Sequence, residues 1–502
     1  MPLPQQIPQI DWPIVMPVIW VTLTGLVALL AEMVWPKRSN NRIVLISLVG
    51  LFIAAWSVIK QFGLPEGQTF ADFVLRDHLG LVLQLVLIGV CFVTFLFSES
   101  YLREKRIAYA EFYPLALWST VGGMLMVSTT NLLELFLGLE VLSIALYCLA
   151  GMSRQESKSE ESAIKYFLLG AFASAFLLLG IAYLFGATGS LDLRALGTVD
   201  LSTAHARTMV TFGLGMILVG LGFKSALVPF HQWTPDVYQG APTNVTAFMA
   251  SASKVAAFGA LIRVLQAATM LQDVWFPAMV WICILTMSVA NLAALVQKDV
   301  KRILGYSSIA NAGYILVGLL SHLKDPAKVP LTTVLFYLVA YSAMTLGVFA
   351  VISLAASGGR EGSRFRELHG LWKRAPFAVG CLIVFVASLV GVPPTAGFFG
   401  KLLIFNDALA AGLPLLAVVL AVNSVISVYY YLGIVQATFV DEEGAGANAA
   451  ASPSFGSTVT VLVCVTAVIG IGLAVSPLQG WLGQEPAKSV EASIALPGSD
   501  IK

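Results

Sequence analysis

With 58% of its 502 residues hydrophobic, only 11% charged and a mean hydropathy of +0.85, the chain cannot be a set of ordinary soluble domains, whose charged fraction is about 25%. The composition is that of a polytopic membrane protein. A formal net charge of +1 excludes the strongly basic face that nucleic acid requires, so no nucleic-acid partner is expected.

Apolar stretches of about 20 residues, each able to cross a hydrocarbon core of about 30 Å, recur from end to end. In chain order they fall near 14–35, 43–61, 79–98, 111–129, 131–151, 162–186, 208–238, 243–270, 273–296, 303–321, 329–355, 377–409, 413–438 and 457–480. The pattern predicts an all-α fold of about fourteen transmembrane helices embedded in a lipid bilayer. The opening MPLPQQIPQIDWP lacks the basic n-region and cleavage site of a removable signal, so the first span is expected to be retained. Cys91, Cys148, Cys283, Cys381 and Cys464 are scattered through the spans without a C-x-x-C pair and read as small core residues. The sequence holds no phosphate-binding glycine loop and no cluster suited to iron–sulphur ligation, so no cofactor is expected in this chain. Any redox chemistry belongs to another chain.

Basic residues set the orientation. Lys37, Arg38 and Arg42 follow the first span; Arg103, Lys105 and Arg106 the third; Arg154 and Lys158 the fifth; Lys298, Lys301 and Arg302 the ninth; Arg360, Arg364, Arg366, Lys373 and Arg374 the eleventh. Odd-numbered connections are therefore expected in the cytoplasm and both termini outside. Asp441, Glu442 and Glu443 after span thirteen dissent, but acids weigh little in this rule.

Two spans are long and interrupted, the seventh at Val228-Pro229 and the twelfth at GVPPTAG, residues 391–397. Proline removes a backbone donor and breaks a helix, and broken backbone at membrane depth is tolerated only where protein or a water-filled cavity satisfies it. The interrupted spans lie five apart, so they run in opposite directions, as an inverted repeat requires. This divides the chain into helices 1–3 (residues 1–110), a first five-helix repeat (111–270), an inverted second repeat (271–440), and the last helix with its tail (441–502).

An ionisable group at the bilayer centre costs about 2.5–3.5 kcal/mol and is by default functional. Glu140 lies nine residues into the fifth span, about 14 Å at 1.5 Å per residue. Lys254 has a similar depth in the eighth, Lys224 is near the middle of the seventh, and Lys401 follows the break of the twelfth. Each lysine alone could snorkel to an interface, and Glu140 with Lys224 could be a purely structural ion pair. Together they read as a proton relay, because burial and a neighbouring carboxylate push a lysine in opposite directions. Glu140 and Lys224 would be the switch, Lys254 the next carrier and Lys401 the exit. His231 could link Lys224 to Lys254 through water or be a satisfied structural residue. Lys165 is a candidate entry residue near the cytoplasmic edge of span six. Asp236 is expected to anchor the broken segment, Glu134 to be solvated, and Glu32 and Arg263 to reach headgroups. The sequon at Asn244 opens a span and is a chance match.

GFKSALVPFHQWTPDVYQGAPTNVTAFMASASKVAAF, with QKDVKRILGYSSIANAGYILVG (297–318) and GVPPTAGFFGKLLIF (391–405), resembles the antiporter-like membrane-arm subunits of proton-pumping NADH:quinone oxidoreductase, respiratory complex I, a family shared with Mrp-type cation/proton antiporters. The run VYQGAPTNVTAFMAS and the short tail after the last span point to its subunit N branch. The resemblance covers essentially the whole chain. It implies a subunit that moves protons across a bacterial inner membrane without bond chemistry of its own. Flavin, iron–sulphur clusters and quinone would reside in partner subunits, and a sister antiporter-like subunit and small membrane subunits would flank it. Carried over by position, its relay residues are Glu140, Lys224, Lys254 and Lys401. Two other classes compete: an Mrp-type antiporter subunit without redox coupling, and a scaffold whose buried charges only hold neighbours.

Overall fold

The computed structural model describes residues 10–34, 40–70, 73–107, 111–356, 361–441 and 454–483; Lys37, Arg38, Arg360, Glu442 and Glu443 lie outside them. Among the described residues twelve helices are long and apolar enough to cross a membrane, and two shorter apolar helices, Phe112–Val127 and Pro376–Val390, complete fourteen passes.

The first three passes are α1 (Trp12–Val34), α2 (Asn40–Ile59) and α3 (His78–Glu104). A two-stranded antiparallel hairpin, β1 (Gly67–Thr69) against β2 (Val74–Arg76) with Gly67 opposite Arg76, joins the last two. The next five passes use α4 (Phe112–Val127), α5 (Leu132–Ala150), α6 (Ser157–Thr188), the broken pair α7 (Ala204–Ser225) and α8 (Trp233–Gly240), then α9 (Thr243–Phe248) and α10 (Lys254–Ala267) joined by a π-helical turn, Met249–Ser253. Another five follow: α11 (Gln272–Leu295), α12 (Val300–Lys324), α13 (Thr332–Ile352), the short connecting helix α14 (Leu371–Arg374), the broken pair α15 (Pro376–Val390) and α16 (Ala396–Ala410), and α17 (Pro414–Phe439). The last pass is α18 (Phe455–Leu473), trailed by α19 (Val475–Leu482).

The starts of these helices are written locally. Asn131 accepts from the amides of Leu133 and Glu134 at the head of α5, and Asp299 accepts from Arg302 N at the head of α12, each supplying a partner for otherwise orphaned amides. Proline opens α15 and α17, where its missing N–H costs nothing. Helices close together where side chains are absent: a Cβ on Gly122 of α4 would run into the backbone of Gly138 and Leu142 on α5.

The two five-pass groups share one neighbour pattern. α4 packs on α5 as α11 packs on α12; α6 packs on both halves α7 and α8 as α13 packs on both halves α15 and α16; α10 returns to α4 as α17 returns to α11. The eighth pass is wholly enclosed and the tenth and eleventh nearly so, whereas α1, α2, α6 and α18 form the periphery. A helix apolar on every side must be buried in protein or face lipid; here the enclosed passes sit beside both breaks.

Connections after spans three, five, nine and eleven meet on one face, in a cluster that the sequence reading treated as aqueous loop charge. Lys105 pairs with Glu156 and lies 3.0 Å from Glu361, while Lys301 lies 2.7 Å from Glu361 and donates to Ala241 O. Tyr101 donates to Glu361 at 2.7 Å and accepts from Thr243 N at 2.9 Å. Lys301 is fully buried and Lys105 nearly so, because the carboxylates that neutralise them come from different connections. The opposite face has its own ties. Arg263, expected at headgroups, is instead buried: it forks onto Asp77 at 2.7 and 2.8 Å and donates to Val127 O at 2.9 Å. Glu134, expected to be solvated, is buried beside Thr129, since α5 turns that face onto its neighbours. Cys148 is exposed while the other four cysteines are buried; Asn244 is buried and donates to Ser98.

Glu361 supplies a pH test. Burial alone would raise its carboxyl, but Lys301 and Lys105 overcome that and hold it at about 2, against 4.5 for the free group. A depressed carboxyl contributes stability that is full above its unfolded value and is lost as pH falls through the folded one. Glu361→Gln is therefore expected to cost about 3 kcal/mol near neutrality, the scale of a broken buried ion pair. The gap to the unsubstituted protein in thermal unfolding should be constant above pH 4.5 and close towards pH 2; a gap unchanged down to pH 3 (~1.5 units below the unfolded value) would contradict this origin.

Candidate functional site: buried lysines at two helix breaks

The seventh pass stops at Ser225 because Ala226 enters the left-handed region at φ +59°, with Leu227 N bonded back to Gly222 O at 2.8 Å. For a residue with a Cβ that conformation costs roughly 1–2 kcal/mol. The freed groups are satisfied by neighbours: Trp233 Nε1 donates to Phe223 O at 2.9 Å, and Val228 N donates to Thr286 Oγ1 on α11 at 3.0 Å. Lys254 Nζ donates to Ser225 O at 2.9 Å. The ammonium thus sits on the carbonyl end of α7, where cations are favoured.

The twelfth pass repeats the arrangement. α15 ends at Gly391, φ +98°, with Gly391 N and Val392 N both bonded to Ala387 O at 2.9 Å, and Gly397 N bonded to Ser388 Oγ at 2.9 Å. Lys401 Nζ donates to Leu389 O at 2.7 Å, to Val390 O at 3.2 Å and to Ser424 Oγ at 2.9 Å, and lies 4.9 Å from the Tyr314 ring centroid. Val228-Pro229 and Pro393-Pro394 are both cis. Each break therefore carries a buried lysine on the last carbonyls of its first half-helix.

Lys224 points the other way, into the packing of α5 and α6. Its Nζ donates to Ser143 Oγ at 2.8 Å and to Tyr166 OH at 3.1 Å. Tyr166 stacks on Trp233 at 4.5 Å, so the tryptophan that closes the break also fixes the lysine's partner. Glu140 accepts from Ser174 Oγ and is only partly buried, beside the exposed Leu137, Val141 and Ile144 of α5. Among the described residues no ion pair joins Glu140 to Lys224, contrary to the simplest form of the expected switch. Ser143, Ser174 and Lys224 instead line a small gap of about 10 Å³, close to the size of one water molecule.

His231 lies in the turn between α7 and α8, half-buried, its Nδ1 without a hydrogen-bond partner; among the described residues no hydrogen bond ties it to Lys224 or Lys254. Lys165 is at one edge of the protein, 2.6 Å from Glu161 and 2.7 Å from Asp236, and Asp236 also pairs with Arg302. Asp236 anchors α8 as expected. Lys165 is thus brought to the break by an ion pair rather than left open.

One set of residues escaped the sequence reading. Along α12, Ser307, Ser308, Asn311 and Tyr314 form a polar strip at helical spacing. Ser308 meets Tyr238 OH of α8 at 3.3 Å; Ser307 meets Tyr431 OH; Asn311 accepts from Tyr337 OH at 2.7 Å; Tyr314 OH accepts from Asn291, which accepts from Tyr430 at 2.9 Å. The strip runs from the second half of the seventh pass to the ring beneath Lys401. Its signal was present in GYSSIANAGY, where hydroxyl and amide residues recur at i, i+4 and i+7 of an apolar helix.

Residues 129–427 match the family described as NADH:quinone oxidoreductase/Mrp antiporter, TM. The chain belongs to this family. Among relatives, it is 40% identical over 487 residues to NADH-quinone oxidoreductase subunit N 1 of Sorangium cellulosum, covering 92% of this chain and 96% of that one. It is 39% identical over 431 residues to NADH-quinone oxidoreductase subunit N of Trichlorobacter lovleyi, covering 84% and 86%. Among solved structures, a chain of respiratory complex I from Thermus thermophilus with bound aureothin superposes with a TM-score of 0.78 at 34% identity, covering 93% of this chain and 99% of that one. A chain of the Mrp complex from a Dietzia species superposes at 0.82 with 20% identity over 94% and 96%, a likeness of fold alone. The solved structures it resembles are chains of multi-subunit membrane complexes, which supports membrane-subunit partners for this chain.

The contacts at the breaks are testable in place. Lys401→Met and Lys254→Met remove the donors but also an internal charge, so global stability can move either way. Local opening cannot. Amide hydrogen exchange is expected to rise about tenfold, the factor for a hydrogen bond of about 1.4 kcal/mol, at residues 389–397 in the first variant and 225–229 in the second. Unchanged exchange in both segments would show that the lysines do not hold the breaks.

Proposed function

We propose that this chain is a proton-translocating membrane subunit of a NADH:quinone oxidoreductase, moving protons through its buried Glu140, Lys224, Lys254 and Lys401 while quinone is reduced in partner subunits that carry the flavin and iron–sulphur centres. The observation that carries the reading is the pair of breaks, each with a buried lysine on its freed carbonyls. Residues 111–270 and 271–440 are read as the two inverted copies, which their shared neighbour pattern supports.

In this reading a proton reaches Lys224 from the Glu140 side through Ser174, the one-water gap and Ser143. Lys254 is the next carrier, bonded to the carbonyl of the residue after Lys224. The polar strip of α12 carries the proton on to Lys401. Lys165, held by Asp236, orders the cytoplasmic mouth where protons enter, and His231 assists through water between the two central lysines. Moving one charge against the membrane potential costs about 2.3 kcal/mol per 100 mV, within the range that gaining or losing one buried charge partner supplies. The basic residues of the odd-numbered connections support a cytoplasmic position for that face, both termini lying outside a bacterial inner membrane. The Mrp-type alternative is the weaker reading, since the likeness to that complex is one of fold.

Lys224→Met is the decisive substitution. The variant is expected to assemble into the complex and to lose most NADH-driven proton movement into reconstituted vesicles, with no rescue by sodium. Normal pumping by a normally assembled variant would reduce the buried lysines to structural pins, and reductant-independent sodium/proton exchange would move the chain to the antiporter class.

A further inference from the structure

A cavity of about 690 Å³ opens on the face of the odd-numbered connections, lined by Lys158, Lys298, Arg302, Arg364 and Arg366. None of the proposed relay residues lines it. Arg302 is engaged with Asp236 and Gln297, but Lys158, Lys298, Arg364 and Arg366 have no carboxylate at ion-pair distance among the described residues. The one acid in the lining, Asp299, is buried and engaged, accepting from Arg302 N and from Ser363 Oγ at 2.9 Å. The walls are fastened together: Asp299 bridges Arg364 through the backbone, and Val300 N donates to Ser363 O at 2.9 Å. Four cations without an ion-pair partner among the described residues are thereby held around one opening.

Part of the lining is apolar. Val296 lines the cavity and is 75% exposed. From it, Leu292, Val289, Leu285 and Trp281, all exposed, run down one face of α11 at helical spacing. A soluble anion would use the cations and ignore this stripe. A molecule with an anionic head at the membrane surface and hydrocarbon tails below uses both.

We propose that this cavity is a binding site for an anionic phospholipid, its phosphate among Lys298, Arg364 and Arg366 and an acyl chain along the Val296–Trp281 face of α11. Basic residues near a membrane surface attract anionic lipid, and the apolar stripe adds chain burial. Because Arg302 lines the cavity and also holds Asp236 on α8, an occupied site would bear on the anchoring of the broken seventh pass.

The test uses the intact complex, stripped of loosely held lipid and labelled with a photoreactive phosphatidylglycerol in competition with unlabelled phosphatidylglycerol, phosphatidylcholine or inorganic phosphate. Labelling is expected within residues 281–302 or 364–366, displaced by phosphatidylglycerol and not by the other two. Combined Lys298→Gln, Arg364→Gln and Arg366→Gln should raise the half-labelling concentration by about tenfold or more, and Val296→Ser should weaken it with the cations intact. The proposal fails if labelling falls elsewhere or if the triple variant labels as the unsubstituted protein does. It fails equally if inorganic phosphate competes as well as the lipid, or if a partner polypeptide shields the cavity in the stripped complex.

Discussion

Everything in the interior depends on how a membrane protein satisfies helix ends that stop halfway across. Four carbonyls at the end of each interrupted half-helix have no intrahelical partner, and hydrocarbon offers none. Here backbone amides and Trp233 take some of them and an ammonium takes others in each case, Lys254 on Ser225 O and Lys401 on Leu389 O and Val390 O. The break needs a cation, and the cation needs the carbonyl end of a helix. Neither could be kept alone at that depth without a large penalty, so the proline-broken backbone and the buried lysine stand or fall together.

The enclosure of the eighth, tenth and eleventh passes follows from this pairing. A lysine on a peripheral helix would reach lipid or headgroup; Lys254 is on the pass with no lipid-facing side. Trp233 adds a second constraint, since one side chain closes the carbonyl end of α7 and stacks on the tyrosine that contacts Lys224. Backbone closure and placement of the central lysine are consequently one packing problem.

Much of this was legible in the sequence. Fourteen apolar runs, two interruptions by proline and glycine, and four ionisable residues at membrane depth give the passes, the breaks and the candidate carriers, because the bilayer enforces length and polarity on each segment independently. What could not be read depends on rotation and partners. Arg263 and Glu134 lie near the ends of apolar runs, and only the direction of each helix face decides whether they meet headgroups or, as found, Asp77 and Thr129. Lys105 and Lys301 looked like aqueous loop charge because their shared partner, Glu361, comes from a connection far along the chain. The Glu140–Lys224 separation has the same cause: α5 presents Glu140 and Ser143 three residues apart on adjoining faces, so the lysine takes the hydroxyl.

That separation distinguishes the two kinds of buried charge in this protein. Lys105, Lys301 and Glu361 form a closed set in which every charge has an opposite charge in contact, and breaking such a buried pair costs several kcal/mol. Such a cluster ties four connections together. Lys224, Lys254 and Lys401 are bound only to neutral oxygens, hydroxyls in the first case and backbone carbonyls with a serine in the others. A proton can leave any of them without abandoning a partner of opposite charge. Glu140 is separated from Lys224 by Ser143, Ser174 and a water-sized gap and does not pair with it. The fold thus keeps its ion-paired charges at the membrane surface and its lysines without a charged partner at the breaks, the arrangement on which the proposed proton path rests.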